Sequence, residues 1–218
     1  MRELRFHGRG GQGAVVASKV LAVALFREGH GVQSFPAFGV ERRGAPVTAF
    51  LRTAREPIRM RCEVTHPDEI IVLDATLMTA IDVTAGLKPG GRILINSAAL
   101  PEDYDSLLER FRVATVDATA IAVRHGLGSR TQPIVNTAIL GAYASMSDLV
   151  TLDAVCDAIV EEVPLHHEAN VQAARDAAAS VRSAGTPEAM KFTGLLNAYA
   201  YRYMPAVKPI GSRAMNRP

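Results

Sequence analysis

The residues with the most chemical potential stand near the start of the chain, where Gly8-Arg9-Gly10-Gly11-Gln12-Gly13 fits the spacing G-x-G-x-x-G. Before it lies a strand-like run, Leu4 to His7. After it, Ala14 to Glu28 carries Val16, Val20, Val23 and Ala24 at helical spacing. A strand, a glycine loop and a helix in that order aim backbone N–H groups and the positive end of the helix at an anion. The same glycines would equally serve a tight turn with close strand-to-helix packing and no ligand. Two common ligands fit poorly. A dinucleotide needs a carboxylate at the end of the second strand for its ribose, and Val32-Gln33-Ser34-Phe35 offers none. A P-loop needs Lys followed by Ser or Thr after the last glycine, and Ala14-Val15 stand there instead, which excludes ATP hydrolysis by that route.

A second unusual stretch, Phe35-Pro36-Ala37-Phe38-Gly39-Val40-Glu41-Arg42-Arg43-Gly44-Ala45-Pro46, reads as a loop between strands. Loops leaving the carboxyl ends of neighbouring parallel strands line one crevice, so Arg42 and Arg43 are candidates for the same anion as the Gly10 amide. A solvated pair or a salt bridge across a subunit boundary would use them equally well. Other candidates are weaker. His7 is expected to be a satisfied structural histidine, and Asp74 the cap of a helix beginning near Thr76. Asn136 and Asn170 are expected to be buried amides that satisfy backbone groups. His166-His167-Glu168 is expected at the surface, because adjacent helical residues point about 100° apart and no ligand at i+4 completes a face. No metal ligand set and no catalytic residue is predicted on this chain.

The elements that must position these residues alternate. Strands are predicted at Gly31 to Phe35, Ala45 to Arg52, Glu69 to Leu73, Arg92 to Asn96 and Phe111 to Val116, and helices at Thr76 to Leu87 and Thr119 to His125. Beyond Pro133 the pattern is almost wholly helical, with helices expected at Ile134 to Ser145, Leu152 to Glu161, Glu168 to Ala184 and Pro187 to Tyr201. The expected fold is therefore α/β: a three-layer α/β/α domain over residues 1–200 with a mostly parallel sheet and a helical C-terminal part. Residues 201–218, with Pro205, Pro209, Pro218 and scattered arginines, are expected to form an extended basic tail.

Composition limits what the domain can be. At 218 residues and 48% hydrophobic content, roughly 70% of the unfolded chain's surface can be buried without a disulfide or metal. The apolar run Val20 to Phe26 is far too short to span a bilayer. Met1 leads directly into a charged strand-like segment, so a cytoplasmic location is expected. Cys62 and Cys156, the two cysteines of the chain, cannot hold an iron–sulfur cluster or a structural zinc and are expected to be buried small thiols. The net charge of +2 conceals an asymmetry of +7 over residues 1–61, −9 over 62–200 and +4 over 201–218. Twenty of the 24 cations are arginines, which suits phosphate contacts or an acidic neighbouring subunit. Nucleic acid is disfavoured, since the chain has no Trp, 6% aromatics and no reading module.

Taken together, Gly8-Arg-Gly-Gly-Gln-Gly13 before a helix and Phe38-Gly-Val-Glu-Arg-Arg-Gly-Ala-Pro-Val47 before a strand resemble the gamma subunit of the 2-oxoacid:ferredoxin oxidoreductases of the pyruvate synthase type. Ile71-Val-Leu-Asp74, Pro89-Gly-Gly-Arg-Ile-Leu-Ile-Asn96, Pro133-Ile-Val-Asn136, Leu140-Gly-Ala142 and Asn170 are similar to the family's order of elements, over about residues 1–180. The resemblance implies a hetero-oligomer. In it, thiamine diphosphate and magnesium lie between alpha and beta subunits, and [4Fe-4S] clusters lie in a ferredoxin-like delta subunit or in beta. This chain would serve as a docking and coenzyme A-facing module. Gly8, Arg9, Gly10, Gly11, Gln12, Gly13, Arg42 and Arg43 would shape the approach of CoA or the contact with a catalytic subunit. The rivals are a stand-alone Rossmann-type NAD(P)-dependent oxidoreductase and a non-catalytic adaptor.

Overall fold

A computed structural model describes residues 1–37 and 44–184. In chain order the elements are β1 (Arg2–Arg9), α1 (Ala14–Arg27), β2 (Gly31–Pro36), β3 (Pro46–Ala54), β4 (Glu69–Val72), a 3-10 turn (Ala75–Thr79) and β5 (Arg92–Asn96). A second 3-10 turn (Pro101–Tyr104) then runs into α2 (Asp105–Leu108), followed by β6 (Arg112–Val116) and α3 (Ala118–Arg124). The two-residue strands β7 (Gly128–Ser129) and β8 (Gln132–Pro133) form a small hairpin before α4 (Asn136–Met146), α5 (Leu152–Glu162), α6 (His167–Ser180) and β9 (Arg182–Ala184).

The main sheet has the order β2-β3-β1-β4-β5-β6-β9. Its centre, β1-β4-β5-β6, is parallel, and β3, β2 and β9 join it by antiparallel pairing. The α/β architecture thus holds, with antiparallel margins on a parallel core. Because side chains alternate across a strand, the central strands feed two cores. Ile71, Leu94, Ala114 and Val116 face one side, where α1, α3, α4, α5 and α6 bury Leu21, Ile121, Leu140, Ile159 and Ala174. Ile70, Val72, Ile93, Ile95 and Val113 face the other, under Leu77, Val83, Leu87 and Phe111. The second covering layer is thin: it consists of the 3-10 turns, the four-residue α2 and loops.

Three expectations fail, two in secondary structure and one in burial. The helix predicted over Thr76 to Leu87 is a 3-10 turn ending at Thr79. Asp82 Oδ1 accepts from both the backbone N–H and the hydroxyl of Thr84, giving the backbone an alternative to helical bonds, and Gly86 adopts φ +74. The helix predicted over Glu168 to Ala184 stops at Ser180, because Arg182–Ala184 pairs with the free edge of β6. That three-residue strand has no β-branched signal. Cys156 is buried as expected, but Cys62 is exposed, on the loop between β3 and β4. The expected helix from Pro187 to Tyr201, the 201–218 tail and the domain limit between them lie outside the described residues, as do Arg42 and Arg43.

The α4–α6 crossing depends on one small residue. A Cβ on Gly141 would stand 1.9 Å from the backbone oxygen of Ala174, so any side chain there separates the two helices. At the opposite end of the sheet from the glycine loop, Glu69, Arg92 and Arg112 open three successive parallel strands as register neighbours. Glu69 is 2% exposed; its carboxylate lies 3.7 Å from Arg92 Nη1 and 3.9 Å from Arg2 Nη1, and neither of its oxygens accepts a direct hydrogen bond. Burial and the neighbouring Glu69 charge push the Tyr143 hydroxyl well above its ordinary range.

Candidate functional site

β1 and β4 lie side by side where the chain connections diverge. From β1 the chain passes through α1 toward β2 on one margin, and from β4 it moves through β5 toward the other. Sheets of this kind bind ligands outside the carboxyl ends of the strands at such a switch point. A crevice of about 370 Å³ occupies that place. It is lined by Arg9 to Gln12, by Gly44 and Asp74, and by Thr131 to Pro133 of the β7–β8 hairpin.

Gly8 and Arg9 belong to β1, opposite Val47 and Pro46, so the loop proper begins at Gly10. The loop is fixed through its backbone: the Gly10 N–H donates to Ala45 O at 2.9 Å, the Gly44 N–H to Gly10 O at 3.1 Å and the Gln12 N–H to Arg9 O at 3.0 Å. The described end of the second unusual stretch therefore does pack on the glycine loop, as the sheet geometry predicts. Arg42 and Arg43 are outside the described residues.

Asp74 organises the side chains. Its Oδ2 accepts from Arg9 Nε and Gln12 Nε2, both at 3.0 Å, and its Oδ1 accepts from the Thr76 N–H at 2.9 Å and the Thr76 hydroxyl at 2.6 Å. Arg9 also donates through Nη1 to Gly44 O and through Nη2 to Thr76 Oγ1, while Gln12 Oε1 accepts from the Arg9 N–H. Partial burial works against the charge on Asp74. The hydrogen bonds from Thr76 and Gln12, with the Arg9 guanidinium, outweigh it and hold the carboxyl below its ordinary range. Asp74 caps the following turn as the sequence predicts. Its hold on Arg9 and Gln12 is invisible in the sequence, because those residues are 65 and 62 positions away. Only the neighbouring placement of β1 and β4 brings them together.

Asp74 thus fixes Arg9 and Gln12; three of the five Arg9 N–H groups and one of the two Gln12 amide hydrogens are engaged, and the backbone adds further donors for a ligand. Gly13, at φ +82, is the N-cap of α1; it supplies no side-chain cap, and the first turn holds no acid. The N–H groups of Ala14, Val15 and Val16 have no intrahelical acceptor. Asn136, at the start of α4, packs directly on Gly13: a Cβ at that position would meet Asn136 Nδ2 at 2.7 Å. Asn170 is a satisfied buried amide, accepting from the Thr137 hydroxyl and donating to Leu165 O and His166 O. His7 is buried but not fully satisfied as expected: its Nδ1 has no hydrogen-bond partner among the described residues. Its Nε2 accepts from Arg5 Nε at 3.0 Å, and burial, with the Arg5 charge, lowers its pKa to about 4. His166 and His167 are exposed. Among the described residues no group of three or more His, Cys, Asp or Glu could hold a metal ion, and no helix is long and apolar enough to cross a membrane.

Fold and crevice together define an α/β domain with a glycine loop and an uncapped helix N-terminus at its switch point. Comparison with known proteins narrows this. The chain belongs to the pyruvate ferredoxin/flavodoxin oxidoreductase family, whose model matches residues 3–180. It is 52% identical over 163 residues to the common gamma subunit of the pyruvate/ketoisovalerate oxidoreductases of Thermococcus kodakarensis, covering 74% of this chain and 86% of that one. It is 47% identical over 186 residues to the pyruvate synthase subunit PorC of Methanothermobacter marburgensis, covering 85% of this chain and all of that one. Among solved structures, the pyruvate oxidoreductase subunit PORC of Thermotoga maritima superposes with a TM-score of 0.69 at 32% identity, covering 84% and 98% of the two chains. The resemblance read from the two glycine-bearing motifs is therefore correct. The stand-alone NAD(P) enzyme has no support in these relatives.

Proposed function

We propose that this chain is the gamma subunit of a cytoplasmic, multisubunit 2-oxoacid:acceptor oxidoreductase and forms the wall of that complex that faces coenzyme A. The complex converts a 2-oxoacid and CoA to an acyl-CoA and carbon dioxide, passing two electrons to iron–sulfur clusters. The observation that carries the reading is the switch-point crevice, with its immobilised glycine loop and the uncapped N-terminus of α1, in a chain whose relatives are gamma subunits. That donor set suits a phosphate-bearing substrate. Two cysteines cannot ligate a cluster, so the clusters belong to a ferredoxin-like delta subunit or to beta. Thiamine diphosphate with its magnesium belongs between alpha and beta, where it supplies the electron sink for decarboxylation.

On this chain the work is binding and orientation. Asp74 locks Arg9 and Gln12, those two lock the loop, and Gly10 to Gly13 with Arg42 and Arg43 guide CoA toward the catalytic subunits. The reading is tested by isolating the complex from its native host without oxygen. Larger thiamine- and cluster-binding partners and CoA-dependent 2-oxoacid oxidation are expected to accompany this chain; a colourless protein composed of this chain alone overturns it. In the isolated complex, Arg42→Ala with Arg43→Ala is expected to raise the apparent KM for CoA or weaken assembly. No change in either removes the arginines from the site.

A further inference from the structure

Asn136 is 5% exposed, and its amide is oriented without ambiguity: Oδ1 accepts from the Thr137 N–H at 2.8 Å, so Nδ2 must be the group against Gly13. Nδ2 has no hydrogen-bond acceptor among the described residues. It stands at the N-cap of α1, a fourteen-residue helix with no side-chain cap and no acid in its first turn. α4, which Asn136 begins, likewise has no side-chain cap and no first-turn acid. The walls of the switch-point crevice lead into these two helices, Gln12 through Gly13 into α1 and Pro133 through Val135 into α4. Two positive helix ends and the carboxamide donor of a buried residue therefore converge, and the side-chain acceptor there, Asn136 Oδ1, is taken by the Thr137 N–H. Evolution of a mere structural junction would favour a carboxylate or hydroxyl acceptor here, as Asp74, Asp117 and Thr151 supply at the starts of other turns and helices.

We propose that Asn136 Nδ2 and the first-turn amides of α1 form the seat for a phosphate group of the ligand, the diphosphate of the acyl-accepting carrier, and that Asn136 is a binding residue of this subunit. Asp74 fixes the side chains of Arg9 and Gln12, and the seat is assigned to the Asn136 amide and the backbone N–H groups. The identity of the carrier rests on the CoA-facing reading; the seat itself does not.

The test uses the full-length chain, titrated calorimetrically with inorganic pyrophosphate and separately with CoA at low ionic strength. Wild type is expected to bind both, with pyrophosphate competing against CoA. Asn136→Asp keeps the shape and the Thr137 bond but turns the donor into an acceptor. It should weaken pyrophosphate binding about a hundredfold while raising Tm, since the carboxylate itself caps α1. Asn136→Ala, which adds no charge, should weaken it about tenfold and serves if the carboxylate variant does not fold. Unchanged pyrophosphate affinity in the variants, or no binding by wild type, overturns the seat. CoA binding that survives in the variants overturns the seat and leaves the CoA-facing reading intact. Asn136-dependent pyrophosphate binding with no affinity for CoA supports the seat and overturns that reading.

Discussion

The two ends of the parallel strands use the same residue types in opposite ways. At the carboxyl end, Asp74 and Arg9 meet at 3.0 Å with side chains 16% and 32% exposed, and both oxygens of the carboxylate are fully hydrogen-bonded. At the amino end, Glu69 is buried, its arginines stay 3.7 Å and 3.9 Å away, and direct hydrogen bonds are missing. The first arrangement fixes a loop beside solvent and leaves backbone donors for a ligand. The second buries a carboxylate at the foot of the sheet, where the separation suits ordered water between the groups. Geometry rather than composition separates a site from a foundation.

Removing charge from the buried end should have the largest effect. Glu69→Ala leaves Arg92 without its counter-charge in a low-dielectric setting and should cost about 3 kcal/mol in urea denaturation. Replacing Glu69 and Arg92 together by Met should recover most of that loss; additive losses would show that the pair is not coupled.

A comparable effect should come from pH. His7 has a folded pKa of about 4 against 6.5 for an ordinary histidine. The unfolded chain therefore binds a proton through this window that the folded chain refuses, so stability falls as pH drops from about 6.5 to about 4, by up to roughly 3 kcal/mol. His7→Gln should flatten that part of the curve. Asp74, whose pKa is lowered, contributes separately: its stabilisation is present above its unfolded value and is lost only at more acid pH, as its folded pKa is crossed. A profile of stability against pH that is flat between 6.5 and 4 in the wild type would remove His7 as a buried neutral group.

At the carboxyl end the expected loss is smaller. Asp74→Asn should cost about 1 kcal/mol of stability and loosen the loop, read as faster amide exchange at Gly10 and Gln12. A loss equal to that of Glu69→Ala would erase the contrast between the ends. The smallest effect is expected for Arg2→Ala. Arg2 is 40% exposed and reaches Glu69 and Asp148 only at 3.9 Å, so the change should stay within about 0.5 kcal/mol; a larger loss would place Arg2 among the buried group.

Much of the site was legible in the chain because its signals are local. The glycine spacing between a strand and a helix, the Asp74 cap and the apolar strands Glu69 to Val72 and Arg92 to Asn96 follow from neighbours in sequence. β9 was not legible, since three residues of weak propensity became a strand only because β6 offered an unpaired edge. The stretch after Thr76 misled for the opposite reason. Its helical periodicity was real, but Asp82 and Gly86 gave the backbone a competing turn under a sheet face that needed only a thin cover.

By itself the sequence determined the α/β class, the family and the glycine loop between β1 and α1, because these depend on residue type and short spacing. Tertiary structure decided what each polar group is free to do. Asp74 occupies Arg9 and Gln12 because a parallel pairing puts the ends of β1 and β4 side by side, and Asn136 reaches Gly13 because α1 and α4 start at the same crevice. Hydrogen-bonding capacity is local, but the partner that uses it is set by the packing of distant segments.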